Sequence, residues 1–240
     1  MIRHLPLLLL FLFLCLASEG RTSPPNILFL FADDQRADTI SAHGNPHIHT
    51  PALDGLAKHG FSFRRNYCAG SFSGAVCVAS RAMLMTGRHW MNLPRDRPAS
   101  NWGDAVTLPA LLREKANYRP FLIGKWHNGK NTLDASFSEG RAVYMGGMAN
   151  HADFQVQDLA AGRLGPRRDA GGFSSTVFAD EAISFLERTN REQPFFLYVA
   201  FMAPHDPRNP PEAYRQRYYD QRPPLPPNYL PQHPFRNAPQ

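Results

Sequence analysis

Cys77 lies in a stretch of small residues, Gly74-Ala75-Val76-Cys77-Val78-Ala79-Ser80-Arg81, which runs on to Thr86-Gly87-Arg88. Small residues on both sides let the backbone turn tightly around the sulfur. The segment Ser80 to Met85 suits the opening of a helix, which would place Cys77 just ahead of a helix N-terminus. Free N–H groups and the positive end of the helix dipole favour an anion there, either a thiolate or a bound oxyanion. Two plainer readings stand beside this one: a small buried apolar residue, or half of a disulfide with Cys68. Arg81 is either a fixed cation for the same anion or a solvated side chain one turn into the helix.

Three further groups could join that chemistry. Asp33 and Asp34 follow the apolar run Asn26 to Ala32, and two adjacent carboxylates repel each other. Hard oxygen ligands of this kind suit Ca²⁺ or Mg²⁺, although an Asp-Asp pair can also be a solvated turn. Lys125 and His127 sit in Gly124-Lys125-Trp126-His127-Asn128-Gly129, after a second apolar segment. Lysine offers a point charge to an oxyanion, and histidine moves protons near neutral pH. The alternative is a tryptophan-anchored turn with Lys and His in solvent. His205 follows a third apolar run, Phe195 to Phe201, within Pro204-His205-Asp206-Pro207-Arg208. His43, His47 and His49 lie close together, but they lack a partner cysteine or an HxxxH helix pattern, so they read as loop residues near a cleft mouth.

Taken in this order, Cys77-Val78-Ala79-Ser80-Arg81, Thr86-Gly87-Arg88, Asp33-Asp34, the Gly-Lys-Trp-His segment and Pro204-His205 resemble the type I sulfatases. Ala79 stands where that family's motif usually has proline. The resemblance runs from about Pro25 to Arg208 and implies an alkaline-phosphatase-like sandwich. It implies that a maturing, formylglycine-generating enzyme oxidises Cys77 to formylglycine (3-oxoalanine), whose hydrate is the nucleophile. It also implies a Ca²⁺ (or Mg²⁺) ion on Asp33, Asp34 and residue 77. Arg81, Lys125, His127 and His205 would be catalytic groups around a sulfate monoester of a carbohydrate or another small molecule. Family members are about twice as long, and their later Asp-Asn ligands and second lysine have no counterpart here, so an N-terminal part of a sulfatase is expected.

The elements that must hold these residues alternate. Strands are expected over Asn26–Ala32, Tyr118–Ile123 and Phe195–Phe201, each short, apolar and bounded by punctuation, as in a fully buried parallel sheet. Helices are expected over Thr50–Gly60, Leu108–Ala116 and Ser174–Arg188, with Thr50, Thr107 and Ser174 or Ser175 as caps. Val177, Phe178, Ala182, Phe185 and Leu186 would face inward. Phe61 to Tyr67 alternates and reads as a strand. Residues 131–172 show no clear period and read as a long insertion shaping a pocket. The fold class is therefore α/β, a mainly parallel sheet sandwiched by helices, incomplete at its C-terminal side.

Composition narrows the class of function. A hydrophobic fraction of 43% supports a real core, and the charge of +6 is spread without a Lys/Arg block, so nucleic acid is not an expected partner. Residues 1–20 read as a signal peptide: Arg3 and His4, then an apolar run from Leu5 to Leu16, then small residues. That run is too short to span a membrane, and an exported protein, periplasmic or secreted, is expected. The three divisions are then 1–20, a catalytic part over 24–208, and a Pro/Arg-rich tail over 209–240. Two other functions stay open: a phosphoester or phosphonate hydrolase of the same superfamily, and a non-catalytic anion-binding homologue.

Overall fold

The structure is a computed structural model that describes residues 24–71, 76–94, 99–190, 192–219, 222–225 and 227–232. The expected signal peptide lies outside the described residues. Seven strands form one sheet among those described: β1 (Ile27–Phe31), β2 (Arg119–Lys125), β3 (Gly140–Tyr144), β4 (Gln155–Ala160), β5 (Arg163–Leu164), β6 (Arg168–Asp169) and β7 (Phe195–Ala200). Their order is β1-β7-β2-β3-β4-β5, with β6 also on β4. β1, β7, β2 and β3 run parallel, and β4 turns antiparallel on β3. The sheet is thus α/β and mainly parallel in the part that carries the site.

Helices cover both faces. α1 (Pro51–His59), α2 (Val76–Thr86) and α3 (Leu108–Ala116) connect β1 to β2, and α4 (Lys130–Asp134) leads to β3. α5 (Ser174–Arg188) precedes β7, and α6 (Glu212–Gln216) follows it. Alternate residues of each central strand enter opposite cores, because side chains in a strand alternate. Leu122, Phe196 and Tyr198 meet Ala82 and Met85 of α2, Leu133 of α4 and the Trp102 and Trp126 rings. Phe121, Ile123, Leu197 and Val199 meet Phe178, Ala182 and Phe185 of α5. All six residues of β7 are buried, which is why its sequence is a continuous apolar run. Each large side chain so buried contributes roughly 2 kcal/mol.

Thr107 caps α3 as expected, accepting from the Ala110 N–H at 3.4 Å. Several expectations are corrected. β1 is an edge strand, with Leu28 47% and Leu30 50% exposed, rather than a fully buried one. Thr50 makes no cap hydrogen bond to α1; its hydroxyl donates to Asp54 Oδ1 instead, and α1 buries no residue. Phe61 to Tyr67 is not a strand, and the Phe61 ring is 83% exposed, packing edge-on against Phe63. Residues 131–172, expected as a long insertion without clear period, supply most of α4 and all of β3 to β6. In α5, Leu186 stays exposed, and neither Ser174 nor Ser175 caps; Phe173 holds the N-cap position.

Candidate active site

Parallel strands bring their C-terminal ends to one edge of the sheet, where ligands of open α/β sheets bind. Asp33 follows β1, Lys125 ends β2 and His205 follows β7. The Asp33 N–H donates to the Ala203 carbonyl at 3.1 Å, tying the loops after β1 and β7 together. Gly124, next to Lys125, has a left-handed φ of 89°, and a Cβ there would fall 2.2 Å from the Ala200 carbonyl oxygen. Glycine alone lets β2 pass so close to β7 at this point.

Cys77 does not precede its helix. Val76 is already helical, so Cys77 sits within α2. Arg81, four residues on, then shares its face of the helix. The Cys77 Sγ lies 3.0 Å from His127 Nδ1 and forms no disulfide; Cys68 and Cys77 are both free thiols. Arg81 is buried, and its Nη1 donates to the Lys125 carbonyl at 2.8 Å and to the Tyr198 hydroxyl at 3.1 Å. Its Nη2 is 3.4 Å from Asp33 Oδ2, and its guanidinium lies 5.1 Å over the Phe31 ring. Lys125 is fully buried with its ammonium against the same Asp33 carboxylate. Two cations therefore share one buried anion, and the cluster carries a net positive charge that suits an incoming anion.

That charge and burial act on the neighbours. His127 is lowered to about 4, first by burial and then by the charges of Lys125 and Arg81, so its imidazole is neutral at neutral pH. Burial pushes Tyr198 up to about 12, which keeps it a phenol. Asp34, in a left-handed conformation, turns outward; its side chain is 53% exposed and its Oδ2 is 3.9 Å from His205 Nε2.

The structure brings Cys77 to His127, and Arg81 and Lys125 to Asp33. It does not bring Asp33, Asp34 and Cys77 around one point. Among the described residues no three His, Cys, Asp or Glu side chains gather where an ion could sit. The carboxylates have the right chemistry for Ca²⁺ or Mg²⁺; Asp33 lies against Lys125 and Arg81, and the half-exposed Asp34 carboxylate lies near His205. Asp33 and Asp34 are the residues that would hold the ion that the resemblance implies. His43, His47 and His49 sit among scaffold contacts, such as the Arg64 donation to the His43 carbonyl and the His49 N–H donation to the Tyr218 hydroxyl.

Three residues at the site had no assigned role in the sequence. Tyr198 is a polar tip inside a buried strand, and such hydroxyls usually find a partner, which was a readable signal. Gly147 lies against the His127 ring. His151 is buried, with Nδ1 2.7 Å from Ser174 Oγ and Nε2 donating to the His205 carbonyl at 3.0 Å. It ties α5 to the His205 loop across partners far away in the chain.

A profile of the Sulfatase family matches residues 25–234, most of the chain. The chain belongs to the sulfatase family. It is 29% identical over 188 residues to the N-acetylglucosamine-6-O-sulfatase of Bacteroides thetaiotaomicron, covering 78% of this chain and 32% of that one. It is 30% identical over 223 residues to the human N-acetylgalactosamine-6-sulfatase, covering 80% and 42%. Among solved structures, one determined in complex with its substrate, D-glucosamine-2-N,6-O-disulfate, superposes with a TM-score of 0.69 at 27% identity, covering 85% of this chain and 39% of that one. The chain spans about a third to a half of the length of the curated relatives it matches. In this sulfatase chain Ala79 is buried in α2, close behind Cys77.

Proposed function

We propose that this chain supplies the nucleophile and the oxyanion-binding groups of an exported sulfuric ester hydrolase. One observation carries the reading: Cys77 Sγ lies 3.0 Å from the neutral His127 imidazole, with Arg81 and Lys125 buried alongside. The resemblance implies that formylglycine made from Cys77 by a maturing enzyme supplies a hydrated aldehyde as nucleophile.

The chain's own residues then divide the work. His127 accepts a proton at Nδ1 from the group at position 77, because burial and two neighbouring cations leave it unprotonated. Lys125 and Arg81 hold the sulfonate oxygens in a fixed positive field, a preorganised electrostatic site. His205 stands at the more open side and gives a proton to the leaving alcohol. A sulfate monoester carries a single negative charge, which the excess of Lys125 and Arg81 over Asp33 offsets. Asp33 and Asp34 are the carboxylates that would hold the divalent ion implied by the resemblance, and such an ion would offset charge on the sulfate oxygens. The names of the relatives point to a sugar or aryl sulfate as substrate.

The pairing of Asp33 with two cations favours a second reading, in which the cleft binds a sulfate ester without cleaving it. Mass spectrometry of the peptide containing Cys77, after co-expression with a formylglycine-generating enzyme, separates the two. Thiol-to-aldehyde conversion lowers the mass by about 18 daltons and creates the nucleophile. Conversion is the expected outcome, and an unmodified thiol would leave only the binding reading.

A further inference from the structure

A cavity of about 620 Å³ opens beside His205, between the first turn of α5 and the proline-rich loop that leads into α6. It is large enough for one ring-sized ligand. Phe173, Pro207 and Tyr214 form its walls, and Ala179 of α5 lines one side. The polar groups of the loop are largely committed to the protein. Arg208 Nε is 3.2 Å from Asp206 Oδ1, the Asn209 amide donates to Asn150 Oδ1, and His151 is held by Ser174 and the His205 carbonyl. What remains for a ligand is mostly ring and aliphatic surface, with the Ser175 and Thr176 hydroxyls, the Arg208 guanidinium and the Asp180 carboxylate among the lining groups.

We propose that this cavity seats the leaving group of the ester, and that it selects a neutral ring alcohol with an apolar face over one carrying further anionic groups. The proposal rests on the sulfatase reading of the adjacent site, because His205 belongs to both. Aromatic and proline surfaces give a flat ring a large contact at little ordering cost. Asp180 repels a second sulfate or a carboxylate on the same ring, while the Arg208 guanidinium that also lines the cavity is drawn toward Asp206 outside it. Beyond Ser175 and Thr176, the lining offers few partners for the hydroxyls of a bare sugar. The preferred ester is therefore a monosulfate of an aryl or similarly apolar ring, and a disulfated glucosamine is disfavoured.

Binding to the full chain tests this without requiring turnover. The probes are 4-methylumbelliferone, its sulfate ester, inorganic sulfate and glucosamine-2-N,6-O-disulfate, each titrated by calorimetry. The ring alcohol alone should bind, its sulfate should bind more tightly, and the disulfate should bind at least about tenfold more weakly than the aryl sulfate. Ala179→Trp fills the cavity and should abolish binding of the ring alcohol while inorganic sulfate still binds. Asp180→Asn, at an exposed helix position, should narrow the gap between aryl sulfate and disulfate several-fold. A disulfate that binds as well as the aryl sulfate, or an Ala179→Trp chain that binds the ring alcohol normally, overturns the cavity assignment and leaves the sulfatase reading standing. Ring alcohol that binds in the Ala179-dependent way, with no affinity for sulfate, overturns the sulfatase reading instead.

Discussion

Gly147 limits where the His127 ring can lie. A Cβ at that position would fall 2.3 Å from His127 Nε2, far inside contact distance. Gly147→Ala should therefore turn the imidazole away from Cys77, with little loss of fold stability. The check is the ¹⁵N shift of His127 Nδ1, which should lose the signature of its contact with the thiol; an unmoved shift would refute the steric account. The ring's protonation gives a second prediction at this scale. Its value of about 4, against the ordinary 6.5, means that the unfolded chain takes up a proton between those values and the native chain does not. Stability is fully present above about pH 6.5 and falls as the pH drops toward 4. Urea midpoints should follow that slope, and His127→Phe should flatten it by up to one proton's worth. A variant with the wild-type slope would show that His127 is not the group responsible.

Gly124 acts at the level of the strands. The register between β2 and β3 shifts between Ile123 and Gly124, a bulge that re-aims Lys125, and β2 stays paired with β7 through Gly124 and Ala200. Gly124→Ala forces a Cβ against the Ala200 carbonyl in a left-handed backbone, and should cost at least about 2 kcal/mol by urea unfolding. A loss below about 0.5 kcal/mol would mean that the two strands can separate there freely. The elements of this region were legible in the sequence for a plain reason. β2, β7 and α5 bury whole faces, so their apolar pattern is continuous or periodic. The segment over 131–172 was not legible, because β5 and β6 are two residues each, too short to show a period, although both pair with the nearby β4. Phe61 to Tyr67 misled for the converse reason: its alternation is real, but among the described residues no strand pairs with it. At the site, the residue types of Cys77, Arg81, Lys125 and His127 allowed solvated or structural readings as well, and their catalytic roles came only from the resemblance, whereas His151 is defined by contacts 23 and 54 residues away.

At the scale of the molecule, the exposed edge of β1 is the outstanding feature. Among the described residues β1 pairs on one side only, with β7. Its Phe29 and Phe31 pack toward Tyr198, while Leu28 and Leu30 on the opposite face are about half exposed. An apolar strand with a free row of N–H and C=O groups is a template for pairing with another chain. Lysine on such a strand opposes that pairing, because a second copy would set charge near charge and bury both. Leu30→Lys should therefore reduce self-association of the purified chain. Leu30 is already half exposed and leaves no cavity, so the change should alter fold stability by less than about 1 kcal/mol. Sedimentation velocity over a tenfold concentration range measures the first expectation, and urea unfolding the second. If the wild-type chain stays monomeric across that range, or the variant associates just as strongly, the β1 edge is not the sticky surface. If instead the variant unfolds several kcal/mol earlier, Leu30 is packed in solution, and the edge is covered rather than free.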